Sequence, residues 1–124
     1  MDRGISSLGG VKPERGSKRL DEYVPPILSE EQAEATFALK PFLKAVGDVN
    51  RLAILQELAR QDGLSVLDLS DRLVLSQPLT SWHLHILKRA RLVSPTHVGR
   101  QRIYRLNRDM LEEYRELFNR VMDL

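Results

Sequence analysis

Residues 76–91, Ser-Gln-Pro-Leu-Thr-Ser-Trp-His-Leu-His-Ile-Leu-Lys-Arg-Ala-Arg, decide how this chain is read. Ser76 has the side chain of an N-cap. Gln77 and Pro78 fall in the first turn, where a missing N–H costs little, and no residue from Leu79 to Arg91 breaks a helix. At about 100° per residue, Leu79, Thr80, His83, Leu84, Ile86 and Leu87 gather on one side of that helix. Gln77, Pro78, Ser81, Trp82, His85, Lys88 and Arg89 gather on the other. One side is built for a core; the other carries donors, an aromatic ring and positive charge.

Charge is segregated around this stretch. Residues 76–108 hold seven basic side chains (Lys88, Arg89, Arg91, Arg100, Arg102, Arg105, Arg108), all three histidines and no Asp or Glu. The remaining residues hold twelve basic against seventeen acidic groups, a net of −5, so the formal +2 of the chain conceals a dipolar molecule. Attraction to phosphate accounts for such a face, because each neutralised phosphate releases counterions. A merely solvated basic surface is the competing explanation, and charge alone does not separate the two.

The 124 residues, 42% of them apolar, suit one domain with a modest core. No apolar run reaches membrane-spanning length and the N-terminus lacks the apolar block of a signal peptide, so a cytoplasmic protein is expected. The absence of cysteine excludes disulfides, thiolate metal sites and thiol switches.

Residues 1–28 mix glycines and serines with five basic and four acidic residues and end near Pro25-Pro26. They read as a flexible N-terminal arm, either a basic arm reaching DNA or a second subunit, or a leader without a fixed role. The domain proper is expected over residues 29–124. Ser29-Glu30-Glu31-Gln32 has the form of a capping box and opens a first helix that Pro41 should kink or split. Asp48 caps a second helix, and Gly63 suits its left-handed stop. Ser65 with Asp68 opens a third, Val66 to Leu73, its Leu69 and Leu73 facing inward. Only Val74 and Leu75 separate it from the helix at Ser76. Two short helices across a tight turn make a helix-turn-helix, whose second helix is offered to the major groove.

Leu92–Val98 and Gln101–Leu106 are strand-like and flank Gly99-Arg100, a two-residue hairpin loop. The hairpin is a wing, with Arg100 at its tip and Arg102 and Arg105 on its returning strand. A last helix from about Arg108 to Leu124 spaces Leu111, Tyr114, Leu117, Phe118, Val121 and Leu124 into a broad apolar stripe that needs a surface to cover.

With these elements in order, the segments LKAVGDVNRLAILQEL, LSVLDLSDRLVLSQPLTSWHLHILKRARLV and VGRQRIYRL resemble the ArsR/SmtB family of winged helix-turn-helix repressors across residues 33–123. Ser76-Gln77-Pro78, Ser81, His83-Leu84 and Leu87 match its recognition-helix pattern, and Asp48 and Arg51-Leu52 the start of its second helix. The resemblance implies a homodimer built from the first and last helices, with Phe37, Leu111, Tyr114, Leu117, Phe118 and Val121 at the interface. There are departures. Val74 and Arg91 stand where the family often has glycine, so two helix ends are expected to stop without a left-handed residue. Trp82 stands where arginine is frequent. Leu64 to Leu69 aligns with the place where metal-sensing members carry a cysteine pair, and has none.

Metal chemistry is poorly supplied elsewhere. Asp109, Glu112, Glu113, Glu116 and Asp123 on the last helix offer carboxylates without imidazole or thiolate, which suits a solvated face paired with Arg108, Arg115 and Arg120 better than a transition-metal site. His83 and His85, two apart on a helix, do not face each other; His83 reads as a core histidine with one bonded nitrogen and His85 as a donor toward DNA. Trp82 either meets a thymine methyl or the sugar-phosphate backbone, or packs at the edge of the wing. No Ser/His/Asp set, phosphate-cradling loop or carboxylate pair is present, so no enzyme and no cofactor are expected.

The expectation is an α+β, mostly α, winged helix-turn-helix with a two-stranded wing and flanking dimerisation helices. It would act as a homodimeric repressor on a palindromic stretch of double-stranded DNA. Gln77, Pro78, Ser81, Trp82 and His85 would face bases, and Lys88, Arg100, Arg102 and Arg105 would hold phosphates or the adjacent minor groove. Any effector would be a small organic molecule or a protein rather than a metal. The alternative is a winged-helix protein-interaction module that does not bind specific DNA.

Overall fold

The computed structural model describes residues 25–124, so most of the expected arm lies outside the described residues. Of it, Pro25–Leu28 form a turn closed by the Leu28 N–H on the Pro25 carbonyl at 3.3 Å. Five helices and three short strands follow: α1 (Glu30–Val46), α2 (Val49–Arg60), β1 (Leu64–Ser65), α3 (Val66–Leu73), α4 (Gln77–Arg89), β2 (Val93–Val98), β3 (Gln101–Leu106) and α5 (Arg108–Met122). Of the described residues, 25–38 and 117–124 form one compact unit, and Leu39–Glu116 a second.

In the first unit, the expected capping box is made in full. The Gln32 N–H donates to Ser29 Oγ and the Ser29 N–H donates to Gln32 Oε1, both at 3.1 Å. Gln32 also donates through Nε2 to the Val121 carbonyl at 3.4 Å, tying the start of α1 to the end of α5. The helix then runs unbroken through Pro41 rather than splitting there. Pro41 is exposed and leaves a single ladder donor out, which the flanking turns tolerate.

The second unit carries the helix-turn-helix and the wing. Asp48 caps α2 by accepting from the Asn50 and Arg51 N–H groups at 2.8 and 3.2 Å. The stop expected at Gly63 comes earlier, since α2 ends at Gln61 in an extended conformation. Gly63 is left-handed, with φ of 95°, for another reason: it turns the chain into β1, where a Cβ would sit 3.1 Å from Ile103 Cγ2. Ser65 and Asp68 complete a capping box for α3. Leu64 and Ser65 also pair with Tyr104 and Ile103, so a third strand joins the expected hairpin in a sheet of order β1-β3-β2. β2 and β3 pair in register from Val93↔Leu106 to Val98↔Gln101 around the Gly99-Arg100 loop.

Ile54, Leu58, Leu64, Leu69, Leu84, Leu87 and Leu92 are fully buried, so the core of this unit is made by α2, α3, α4 and the base of the sheet. Burying each such side chain is worth about 1.5–3 kcal/mol. Among the described residues no helix is long and apolar enough to cross a membrane.

Helix ends depart from expectation in an instructive way. Val74 and Arg91 do adopt left-handed conformations, with φ of 55° and 63°, and Asp123 does so with φ of 59°. Each is followed by an N–H that reaches five residues back: Leu75 to Ser70, Leu92 to Leu87 and Leu124 to Asn119, at 3.0, 3.0 and 2.9 Å. This is the Schellman closure usually given to glycine. Satisfying the terminal carbonyls outweighs the steric penalty of a Cβ.

Candidate nucleic-acid interface

Helix α4 is laid down by its cap. Ser76 Oγ accepts from the Leu79 N–H at 3.2 Å, Pro78 sits in the first turn, and Thr80 Oγ1 donates back to the Ser76 carbonyl at 2.8 Å. That last bond lets Thr80 be wholly buried without an orphaned hydroxyl. With His83, Leu84 and Leu87 it forms the inward stripe, while Leu79 and Ile86 lie at its margins, exposed and half-buried. The opposite side is as expected: Gln77, Pro78, Ser81, Trp82, His85, Lys88 and Arg89 are all exposed.

His83 is a core histidine with a specific partner. Arg51 Nη1 lies 3.1 Å from His83 Nδ1, Arg51 Nε donates to the Ala45 carbonyl at 2.6 Å and Nη2 to that of Lys44 at 3.3 Å. A guanidinium only donates, so Nδ1 accepts, and the proton of the neutral ring sits on Nε2. One side chain thus joins the C-terminal carbonyls of α1 to the buried face of α4. Beneath it, burial works against ionisation of Asp48, but the Arg51 and Asn50 N–H groups and the Arg51 charge outweigh it and hold the carboxyl below its ordinary value. The sequence offers Arg51 only as part of a motif. Its tie to His83 spans 32 positions and leaves no periodic signal.

On the exposed face, Trp82 and His85 come together, their rings nearly parallel at 29° with centroids 6.1 Å apart. Trp82 is 56% exposed, so packing at the edge of the wing does not bury it.

The wing separates its arginines. Strand alternation and the register put His97, Arg102 and Tyr104 on one face and Thr96, Ile103 and Arg105 on the other. Tyr104 is buried at the base of the first face, and farther out Arg102 stands directly across from His97, both exposed. His97 is absent from the residues expected at DNA, and the period of two around Arg102 could have added it. Arg105 is engaged locally: Nη1 donates to Thr96 Oγ1 at 2.9 Å and Nε lies 3.5 Å from Asp62 Oδ1. Arg100 is exposed at the turn. Among the described residues, Lys88, Arg89, Arg91, Arg100 and Arg102 form no ion pair, whereas the acid-rich remainder pairs internally, Glu57 with Arg60 and Arg72, Glu112 with Arg115. The acid-free segment therefore presents five cations that no carboxylate of the described residues engages.

The proposed dimer residues divide. Tyr114 is used within its own chain: its hydroxyl donates to the Ala90 carbonyl at 2.9 Å and its ring lies 5.0 Å from that of Phe42. Leu111 is half-buried in the same unit. In the other unit, Phe37, Leu117 and Val121 are half-buried and Phe118 is exposed. Of the acidic residues on α5, the Arg115 guanidinium beside Glu112 holds its carboxyl below the usual carboxylate range. Among the described residues no three His, Asp or Glu side chains converge on a metal-sized site.

Comparison with known proteins agrees with this geometry. Residues 48–94, from the cap of α2 into β2, match the bacterial regulatory protein, arsR family. A transcriptional repressor SmtB homolog of Synechocystis sp. is 33% identical over 107 residues, covering 86% of this chain and 78% of the relative. Among solved structures, an ArsR-like transcriptional regulator from Rhodococcus sp. superposes with a TM-score of 0.66 at 30% identity over 73% of this chain and 84% of the other. Reduced HlyU from Vibrio cholerae gives 0.62 at 33% identity over 75% and 97%. With the helix-turn-helix, the wing and two thirds or more of these relatives' lengths shared, the chain belongs to the arsR family of DNA-binding transcriptional regulators.

Proposed function

We propose that the protein is a homodimeric repressor that occupies a palindromic operator, with α4 in the major groove and the wing beside it. The observation that carries this reading is the partition of one helix. Thr80, His83, Leu84 and Leu87 fix α4 to the core, while Gln77, Pro78, Ser81, Trp82, His85 and Lys88 are presented outward within a segment that holds seven basic side chains and no acid. Gln77 is placed in the first turn, where a carboxamide can pair bidentately with adenine. Lys88, Arg100 and Arg102 supply phosphate contacts without first giving up an ion pair. Arg105 exchanges Asp62 for phosphate, a small cost because both partners are open to solvent. Phe37, Leu111, Leu117, Phe118 and Val121 supply the dimer contact, while Tyr114 is engaged within its own chain by Ala90 and Phe42. Any effector is a small organic molecule or a protein, acting in the cytoplasm.

Selection of bound sites from randomised DNA, followed by affinity against salt on the selected and on scrambled duplexes, tests the reading. A preferred near-palindromic site is expected, and Arg100→Ala or Arg102→Ala should flatten the slope of log K against log salt by about 0.9 for each phosphate left unneutralised in each subunit. Equal affinity for all sequences would overturn it in favour of a protein-interaction module with a basic face.

A further inference from the structure

An indole is an unusual reader of a base edge. It has one N–H donor and no acceptor, so it makes none of the bidentate pairs by which amide, guanidinium or carboxylate groups identify bases. Its chemistry is a large apolar face. Trp82 nevertheless sits on the outward side of α4, 56% exposed, between Ser81 and the first-turn residues Gln77 and Pro78 on one side and His85 one turn on. The His85 ring lies beside it, its centroid 6.1 Å away and its plane inclined by 29°. The major groove offers one apolar feature to match it, the 5-methyl group of a pyrimidine, which among unmodified bases belongs to thymine alone.

We propose that Trp82 is a specificity residue that reads the 5-methyl group of thymine, and that His85 is a positioning residue that holds the indole in its reading orientation. The inference rests on α4 entering the major groove as proposed above. The stack gives His85 its role: an exposed tryptophan would otherwise sample several rotamers and lose them on binding, and a ring already laid along it removes part of that loss. The contact brings an exposed apolar surface against a methyl, so its contribution follows the area removed from water, about fourfold in affinity for one methyl. Changing the symmetric thymines of two half-sites multiplies the effect to about fifteenfold.

The test uses the full chain and the site selected from randomised DNA. Each thymine is replaced by deoxyuridine in both half-sites, which removes the methyl and leaves every hydrogen-bonding group in place. One position is expected at which the wild-type protein loses about fifteenfold, and at which Trp82→Ala, though weaker overall, binds thymine and uracil duplexes alike. Trp82→Phe, which keeps an aromatic face, should retain part of the discrimination. His85→Ala should lower the thymine-to-uracil ratio and His85→Phe, which restores a ring without the imidazole nitrogens, should recover it; a general weakening would leave that ratio unchanged. Because Trp82 is the sole tryptophan, its fluorescence should change on binding the thymine duplex and change less on the uracil one. A duplex with cytosine and then 5-methylcytosine at that position separates the methyl from the rest of the thymine ring: the thymine reading expects 5-methylcytosine to recover only part of the loss, and full recovery would make the residue a sensor of cytosine methylation instead. Indifference of the wild type to every methyl, with a preferred site still present, overturns the inference and leaves the functional reading standing. Absence of any preferred site overturns the functional reading itself.

Discussion

Val74→Gly should stabilise the protein, although it deletes an aliphatic side chain from the turn that orients α4. Val74 closes α3 with φ of 55° and ψ of 50°. A Cβ in that conformation costs about 1–2 kcal/mol, and β-branching places valine at the upper end. The side chain returns little, because it is 88% exposed: the buried remainder is worth about 0.3 kcal/mol. Against the relief stands the greater freedom of glycine in the unfolded chain, about 0.5–1 kcal/mol. The balance is about 0.5–1 kcal/mol in favour of glycine, which for a domain of this size raises Tm by about 2–5 °C. Val74→Ala is the control, since it removes nearly the same exposed carbons but keeps the Cβ, and should gain much less. Thermal unfolding at one fixed protein concentration measures both, because any self-association would otherwise move Tm. A Val74→Gly protein no more stable than Val74→Ala would mean that the turn does not hold the left-handed conformation, and the Schellman closure of α3 would fall with it.

Two further outcomes follow from the packing. Burial raises Tyr114 above the ordinary tyrosine value, so its contribution to stability is complete below about pH 10 and is lost as pH climbs through the folded value, where the hydroxyl gives up its bond to Ala90. Tyr114→Phe should therefore cost about 1–2 kcal/mol at neutral pH in denaturant melts and show a shallower alkaline decline; parallel curves for the two proteins would refute the assignment. Phe118 is 44% exposed in the single chain and lies in the proposed interface, so Phe118→Glu should leave the monomer folded, shift sedimentation from dimer to monomer, and lower operator affinity by about 10²–10⁴ as the half-sites lose their link. An intact dimer would move the interface elsewhere.

Local chemistry made most of this fold legible. Ser29/Gln32, Asp48, Ser65/Asp68 and Ser76 all form the caps their side chains announce, because a cap is a bond between residues three apart or fewer. The hairpin was likewise readable from Gly99-Arg100 between two alternating runs. Three things were not. Pro41 left α1 whole, since tertiary packing tolerates one missing donor. Val74 and Arg91 took the conformation that glycine usually holds, because closure of the helix end dominated over intrinsic preference. And β1 is two residues long, Leu64 and Ser65, with no period to detect; it exists because β3 offers an edge to pair with. The candidate site was legible as a set of exposed residues but not as the bonds among them. That Arg105 turns toward Asp62 and Thr96 while Arg102 shares a face with His97 depends on strand register, which pattern alone places only by alternation.

The division of labour within α4 explains why its sequence mixes such different residues. A recognition helix must be rigid in position yet variable in what it displays, and the two demands fall on opposite sides of one cylinder. Leu84 and Leu87 supply apolar burial, which is strong but does not fix rotation of the helix about its own axis. A directional bond to a group outside the helix does that: His83 to Arg51, which is itself held by the Ala45 and Lys44 carbonyls. A rotation of α4 large enough to aim Trp82 elsewhere would have to break the bond at His83 Nδ1 and leave a nearly buried acceptor unpaired, at a cost of about 1–3 kcal/mol. The outward residues are thereby released from any structural duty. Gln77, Ser81 and Trp82 can be exchanged for other side chains without disturbing the bond that fixes α4, so under the proposed function recognition is set by residues that the fold does not need.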